Sequence, residues 1–195
     1  MSRARAAASL LCGICAAACA GEDDLPSLEV TSLAFGDGET IPARHTCEGA
    51  GISPPLRFEG APAQTTSYAV VMFRAAEGGD VEGDEEEAAI AQWLVWGISA
   101  EASGVGEDVP HGEAPLAGLA QGTNDAGVVG YTGPCAEETE KEEAPDTATH
   151  RYVFQVYALS GAPVVDPAAT AGQLLTAIDG LAVAKGSLEG FFTAQ

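Results

Sequence analysis

Basic residues are scarce in this chain of 195 residues. It has 8 lysines and arginines against 29 aspartates and glutamates, a formal net charge of −21 at pH 7. Such a surface repels phosphate backbones, so we expect no nucleic-acid partner. Aromatic residues make up only 6% of the sequence, but a hydrophobic fraction of 46% is enough for one domain with a core.

Motifs of common enzyme classes are also missing. The sequence has no G-x-S-x-G, no P-loop, no G-x-G-x-x-G after a predicted strand and no H-E-x-x-H. Its three histidines, His45, His111 and His150, are far apart and lack the spacing of metal ligands. We therefore expect no metal and no cofactor. Because no nucleophile with a neighbouring base can be identified, we predict a protein that is not an enzyme.

The N-terminal segment, residues 1–19, is typical of a secretory signal peptide. Arg3 and Arg5 precede an apolar run over residues 6–18 that is too short to cross a bilayer as a helix. The sequence AAAC at 16–19 resembles a bacterial lipobox, although Ala16 stands where leucine is usual. We predict export to the cell envelope, in the periplasm or at the outer membrane, with Cys19 as the lipidation site and this anchor as the membrane attachment. The alternative is ordinary cleavage and a soluble product.

Two cysteines remain in the predicted mature chain, which begins with an acidic tether at residues 20–27 and continues as one domain over 28–195. Cys12 and Cys15 leave with the signal, and Cys47 and Cys135 form an even pair in an oxidising compartment. We predict a disulfide between them; the alternative is two buried thiols.

Short apolar runs predict a mainly β fold. Runs of strand length occur at 28–35, 66–73, 91–98 and 151–159. Since they are nearly continuous, we expect strands that are covered on both faces. Residues 36–56, rich in glycine and proline, predict an irregular loop, and residues 181–192 fit either a last strand or a helix.

One helix is predicted near the C-terminus. Asp166 is the expected N-cap, Pro167 the first helical residue and Gly180 the left-handed stop. The residues of its apolar stripe are Leu174, Leu175 and Ile178.

Two acidic segments interrupt the strands. Residues 77–87 carry seven acids and no base, and residues 137–146 carry six acids and one lysine. Like charges at this density favour solvated loops, and such loops would steer a basic protein partner towards the chain.

Several motifs together resemble the phosphatidylethanolamine-binding protein family, in its bacterial Raf-kinase-inhibitor-like branch. They are I-P-A-R-x-T-C-x-G at 41–49, S-P-P-L at 53–56, N-D-x-G-x-x-G-Y-x-G-P-C at 124–135 and H-R-Y at 150–152. The resemblance spans residues 28–195. It implies a β-sandwich in which a large antiparallel sheet packs on a smaller one, with short helices near the C-terminus. It also implies a surface pocket for phosphate, acetate or a phospholipid head group.

The resemblance places half of that pocket in this chain. The matching loop and strand residues are Tyr131, Gly133, Pro134, Cys135, His150 and Tyr152. The opposite wall departs from the family: Arg74 stands at the first aspartate of its D-P-D-A-P motif, and Gln92 replaces the histidine before Trp93. Glycine lets backbone N–H groups approach an anion, and histidine donates hydrogen bonds to it.

These departures leave two interpretations. In one, Arg74 supplies a planar cation suited to phosphate or carboxylate and retunes the pocket. In the other, Gln92 loses a switchable charge, the acidic segments oppose anions, and the pocket has decayed. We expect an exported, non-enzymatic binding protein whose remnant pocket for an anion or a phospholipid head group has altered specificity. The alternative is an interaction or inhibitor module that acts through the acidic segments, the small-molecule pocket being lost.

Overall fold

The computed structural model describes residues 25–75, 89–135 and 149–194. The predicted signal peptide with Cys19, residues 20–24 of the tether and both acidic segments lie outside the described residues. Within the described ranges, no helix is long and apolar enough to cross a membrane.

Strands dominate the described part of the chain, as predicted. The elements are β1 Glu29–Thr31, β2 Glu39–Thr40, β3 Leu56–Glu59, β4 Ser67–Arg74, β5 Ile90–Ser99, β6 Gly104–Val105, β7 Ala120–Gln121, β8 Thr149–Leu159, α1 Ala171–Ile178 and β9 Ala182–Thr193. They form a six-stranded sheet in the order β2-β9-β8-β4-β5-β7 and a three-stranded sheet in the order β1-β3-β6. The predicted combination of a large sheet, a smaller sheet and a short helix near the C-terminus is confirmed.

The central strands β4 and β8 are buried on both faces, which explains their continuous apolar runs. Alternate residues of these strands belong to two separate clusters. One cluster, which includes Met72 and Phe154, also contains residues of the small sheet. The other, which includes Phe73 and Val153, contains Leu174 of α1.

Two of the sequence-predicted strands can be compared in detail with the structure. The first strand is shorter than residues 28–35, because Ser32 Oγ accepts a hydrogen bond from the Ala34 N–H at 3.0 Å and donates one to the Pro55 carbonyl at 2.7 Å. This turn ends β1 at Thr31 and leaves Leu33 exposed. Of the two alternatives for residues 181–192, the strand is correct: β9 pairs antiparallel with β8 along almost its whole length.

The helix begins later than predicted. Its N-cap is Thr170 and not Asp166, since Ala168 has φ 63°, a left-handed conformation that a right-handed helix cannot contain. Gln173 Oε1 accepts a hydrogen bond from the Thr170 N–H at 2.9 Å, as in a capping box. The predicted end is confirmed, because Gly180 follows α1 with φ 72°.

Candidate functional site

Four neighbouring strands bring the sequence-predicted pocket residues to one end of the large sheet. Arg74, the last residue of β4, lies opposite Ile90 of β5 and Tyr152 of β8. His150 of β8 lies opposite Phe192 of β9. Because antiparallel strands are about 4.8 Å apart, the ends of these strands form one continuous rim.

A β-bulge places Gln92 at this rim. Trp93 pairs with Met72 and Ala91 pairs with Phe73, so Gln92 is the extra residue of β5. Its backbone carbonyl accepts hydrogen bonds from the Thr132 N–H at 3.0 Å and from Asn124 Nδ2 at 3.0 Å. The bulge therefore attaches the loop of residues 130–135, called the GYTGPC loop here, to the edge of the sheet.

Asn124 organises the start of that loop. Besides the Gln92 carbonyl, its Nδ2 contacts the Gly130 carbonyl at 3.2 Å and Thr132 Oγ1 at 2.8 Å, and it is 3% exposed. Its Oδ1 accepts from two backbone N–H groups of the turn that follows. The sequence analysis gave Asn124 no role, although it opens the N-D-x-G motif that carried the resemblance.

Residues 45–47, called the clamp here, hold the GYTGPC loop from behind. The Tyr131 hydroxyl donates a hydrogen bond to the His45 carbonyl at 2.7 Å. A Cβ atom on Gly133 would lie 2.6 Å from the same carbonyl oxygen and 3.0 Å from Thr46 Cα. Glycine is thus required here by packing as well as by any approach of a ligand.

A disulfide bond links the clamp to the GYTGPC loop. Cys47 and Cys135 form the predicted disulfide, with Cα atoms 5.3 Å apart, and the Cys47 N–H donates to the Pro134 carbonyl at 3.0 Å. The bond closes a loop with a sequence separation of 88. It thereby joins two loops that would otherwise be held by hydrogen bonds and packing.

His45 is a buried part of the clamp that the sequence analysis left without a role. It is 2% exposed, its Nδ1 lies 2.8 Å from the Ile52 carbonyl, and its Nε2 lies 3.8 Å from Glu107 Oε1. Arg44 holds the Glu107 carboxylate with two hydrogen bonds of 3.0 and 3.1 Å. The motif I-P-A-R-x-T-C, in which His45 is the variable position, gave no signal for this contact.

The aromatic residues of the predicted site are core residues. Trp93, Tyr131 and Tyr152 are at most 1% exposed, and the rings of Trp93 and Tyr131 meet edge-to-face with centroids 5.7 Å apart. Trp93 Nε1 donates to Gln121 Oε1 at 2.8 Å. Burial raises the pKa of the Tyr131 hydroxyl, and the nearby Tyr152 raises it further, so Tyr131 stays protonated and can donate to His45.

The polar residues of the rim differ in exposure. His150 is 4% exposed, so a ligand can reach at most one edge of its imidazole, whereas Arg74 is half-buried. His111 is exposed and its ring lies beside Gly130. Among the described residues, no three histidine, cysteine or acidic side chains form a group that could hold a metal.

The Gly133 N–H and Gln92 Oε1, both at this end of the sheet, have no hydrogen-bond partner among the described residues. Gly133 is buried, and its N–H donates no hydrogen bond in the described part of the chain. Gln92 Oε1 is buried and accepts none. A buried donor or acceptor without a hydrogen bond lowers the stability of the fold by about 1–3 kcal/mol. Such groups are therefore rare in folded proteins and are candidates for contact with a ligand or a water molecule.

A separate open groove of about 1030 Å³ lies beside α1, lined by residues 163–166 and by residues of the helix. None of the sequence-predicted site residues lines it.

The fold and the motifs together define the class of protein, a β-sandwich with a large and a small sheet. Comparison with other proteins identifies its family. The sequence profile of the phosphatidylethanolamine-binding protein family matches residues 31–193. The chain therefore belongs to the phosphatidylethanolamine-binding protein family.

Relatives and solved structures agree with this assignment. A UPF0098 protein of Methanothermobacter thermautotrophicus is 32% identical over 85% of this chain and 98% of its own length. A UPF0098 protein of Chlamydia muridarum is 34% identical over the same shares. CT736 of Chlamydia trachomatis, described as a homolog in this family, superposes with a TM-score of 0.69 at 31% identity, over 87% of this chain and 99% of that chain. Escherichia coli YbcL shares the fold at 24% identity, with the same TM-score and coverage.

The disulfide predicts a large effect on stability. Replacing both Cys47 and Cys135 by alanine should lower the free energy of unfolding by about 4–5 kcal/mol, because an 88-residue loop is no longer closed in the unfolded chain. Urea unfolding measures the difference. The wild-type protein under reducing conditions should match the double variant, and equal stability of the oxidised and reduced wild type would contradict the bond.

Proposed function

We propose that this chain is a non-enzymatic binding protein that holds a small anionic group at the rim formed by β4, β5, β8 and the GYTGPC loop. The observation that carries the proposal is the N–H of Gly133, which donates no hydrogen bond among the described residues although Gly133 is buried. A backbone N–H on a fixed loop is a suitable donor to phosphate, carboxylate or a phospholipid head group.

Two side chains with hydrogen-bond donors at this end of the sheet support this choice of ligand. His150, the second residue of β8, carries an imidazole that can donate a hydrogen bond from a ring N–H. Arg74, at the end of β4, offers a planar fork for two oxygens of one anion. Because the family has an acidic residue where Arg74 stands, and a histidine where Gln92 stands, we propose an altered specificity.

Calorimetric titration tests this function with phosphate, acetate and phosphoethanolamine. His150→Ala should weaken binding by roughly tenfold or more, the value for loss of a hydrogen bond to a charged group. Arg57→Ala is the matched control, since Arg57 is an exposed cation of β3 in the small sheet, and it should bind like the wild type. Absence of heat with all three ligands, for a protein that melts cooperatively, would overturn the proposal.

We further propose that the protein acts in the cell envelope, anchored by lipid at Cys19. The support comes from the sequence alone: two arginines, an apolar run and AAAC at 16–19. Labelling of cells with a radioactive fatty acid should mark the wild-type protein, and Cys19→Ser should abolish the label. Equal labelling of the two proteins, or none in the wild type, would contradict the anchor.

A second candidate function is capture of a basic protein partner, with the small-molecule pocket lost. The position of the residues that flank the two acidic segments favours this function. Ala75 and Ala89 flank the first segment and adjoin β4 and β5. Cys135 and Thr149 flank the second segment; Cys135 ends the GYTGPC loop and Thr149 begins β8. The sequence between these flanking residues carries thirteen acids and one lysine.

This candidate is tested by neutralising the acids of residues 77–87 and 137–146 as amides, which keeps loop length unchanged. Envelope proteins retained by the immobilised wild type at low salt should be lost from the neutralised variant. Retention of the same proteins by both would eliminate the role, since electrostatic attraction must fall with the charge.

A further inference from the structure

The start of the domain is attached to a fixed point on β9. The Leu28 N–H donates a hydrogen bond to the Lys185 carbonyl at 2.9 Å, and the Lys185 N–H donates one to the Pro26 carbonyl at 3.0 Å. Leu28 is buried, and a Cβ atom on Gly186 would collide with its carbonyl. Hydrogen bonds and close packing therefore decide where the chain enters the domain.

This attachment point lies far from the rim. Lys185 pairs with Tyr157 of β8, whereas Phe192 of the same strand pairs with His150 at the rim. The strand from Lys185 to Phe192 spans roughly 23 Å, at about 3.3 Å per residue. In the other direction, β8 ends at Leu159, shortly after Tyr157. The chain thus enters the domain near the end of the large sheet opposite to the rim, called the tether end here.

Two loops at the tether end contain no charged residue. They are residues 60–66, which lead into β4, and residues 160–165, which follow β8. The loops are neighbours, because Ser67 Oγ donates a hydrogen bond to the Gly161 carbonyl at 3.1 Å. The acidic residues at this end flank the loops or belong to other turns, and they are Glu59, Glu101, Asp166 and Asp179.

The loop of residues 160–165 exposes an apolar side chain. Val164 is 95% exposed, the highest value for a large hydrophobic residue among those described. Its neighbours Pro163 and Val165 are half-buried and line the groove beside α1. A single exposed apolar residue needs no explanation by itself. Its position at the end of the sheet where an anchored chain enters the domain brings it within reach of a bilayer.

The proposed lipid anchor limits the distance between the tether end and the membrane. Residues 20–24 separate Cys19 from Leu25, the first described residue. Even a fully extended chain of this length spans at most about 22 Å. The anchor therefore keeps the tether end close to the bilayer surface, whereas the rim lies roughly 23 Å from the attachment point along the sheet.

Charge favours the same orientation. The sequence that joins Ala75 to Ala89 carries seven acids, and the sequence that joins Cys135 to Thr149 carries six acids and one lysine. All four of these flanking residues adjoin the rim. Anionic lipids repel acidic side chains, so contact of the rim with a bilayer is disfavoured. The uncharged loops of the tether end meet no such repulsion, and Val164 gains free energy when it leaves water.

We propose that the tether end is a membrane-contact surface, on which Val164 and the loops of residues 60–66 and 160–165 lie against the phospholipid head groups. The rim then points away from the bilayer. This inference rests on the proposed lipid anchor at Cys19 and does not depend on anion binding at the rim. The partner is the lipid surface itself, with Val164 immersed among the head groups.

A fluorescent probe at residue 164 tests this orientation in the mature, lipidated protein on vesicles of phosphatidylcholine. Val164→Cys supplies one free thiol for an environment-sensitive dye, because Cys47 and Cys135 are bonded to each other and Cys19 carries the lipid. On vesicles the emission should shift to the blue, and a nitroxide-labelled lipid should quench it more strongly than aqueous iodide does.

The matched control places the same dye at the rim. Ala126 is exposed and follows Asp125, whose N–H donates a hydrogen bond to the Ala91 carbonyl of β5. A dye on Ala126→Cys should keep the emission of the free protein on vesicles and should be quenched mainly by iodide.

Two further variants test the apolar contact itself, with the dye on Ala162→Cys, an exposed position of the same loop. Val164→Asp should abolish the blue shift, because it replaces the apolar group by a charge, whereas Val164→Leu should retain it. Since Val164 is almost fully exposed, neither substitution should change the melting temperature.

Flotation of the protein with the vesicles tests the anchor separately. If the protein floats but the dye at residue 164 stays in water, or the dye at residue 126 is the one quenched by lipid, the inference is wrong and the anchor stands. An unchanged blue shift in Val164→Asp would likewise contradict the contact. A protein that does not float would overturn the anchor and the inference together.

Discussion

The contact between the GYTGPC loop and the clamp determines the shape of the candidate site. Gly133 lies so close to the backbone of His45 and Thr46 that no side chain fits between them. The Tyr131 hydroxyl and the disulfide from Cys47 hold the two segments on either side of this contact. These contacts fix the backbone of the GYTGPC loop, although the loop has no regular secondary structure. The direction of its N–H groups is therefore set by packing.

The positions of the polar residues on the strands of the rim are determined by the burial of β4 and β8 on both faces. Arg74 and His150 lie near the ends of these strands, whereas Gln155, in the middle of β8, donates a hydrogen bond to the Gly186 carbonyl. The bulge at Gln92 then joins this rim to the loop through one carbonyl that accepts two hydrogen bonds. Polar groups from distant parts of the sequence meet here because most other positions of β4 and β8 are occupied by the core.

The strong charge asymmetry of the sequence bears on the proposed function. A chain of net charge −21 repels an anionic ligand at long range, and salt screens this repulsion beyond about 8–10 Å. The groups that we propose as contacts, a guanidinium, an imidazole and backbone N–H groups, act only at short range. In this proposal short-range hydrogen bonds govern which anion is held, and the long-range field governs which molecules approach.

The amino-acid sequence by itself determined the central strands, the end of the helix at Gly180 and the pairing of Cys47 with Cys135. Each follows from local pattern or from counting, namely continuous apolar runs, a glycine stop and two cysteines left over for one bond. The motifs also identified the family, since I-P-A-R-x-T-C-x-G and N-D-x-G-x-x-G-Y-x-G-P-C are specific in combination.

Tertiary structure alone decided the rest, because those features depend on atoms far apart in the chain. The helix starts at Thr170 since Ala168 is left-handed, and the Ala168 N–H donates to the Gln121 carbonyl, a contact that no local pattern contains. The contacts of Asn124 with the Gln92 carbonyl and of His45 with Glu107 likewise join residues that are far apart in the sequence. Whether a glutamine is satisfied, as Gln121 is, or left open, as Gln92 is, depends on neighbours that folding brings together and that the sequence does not show.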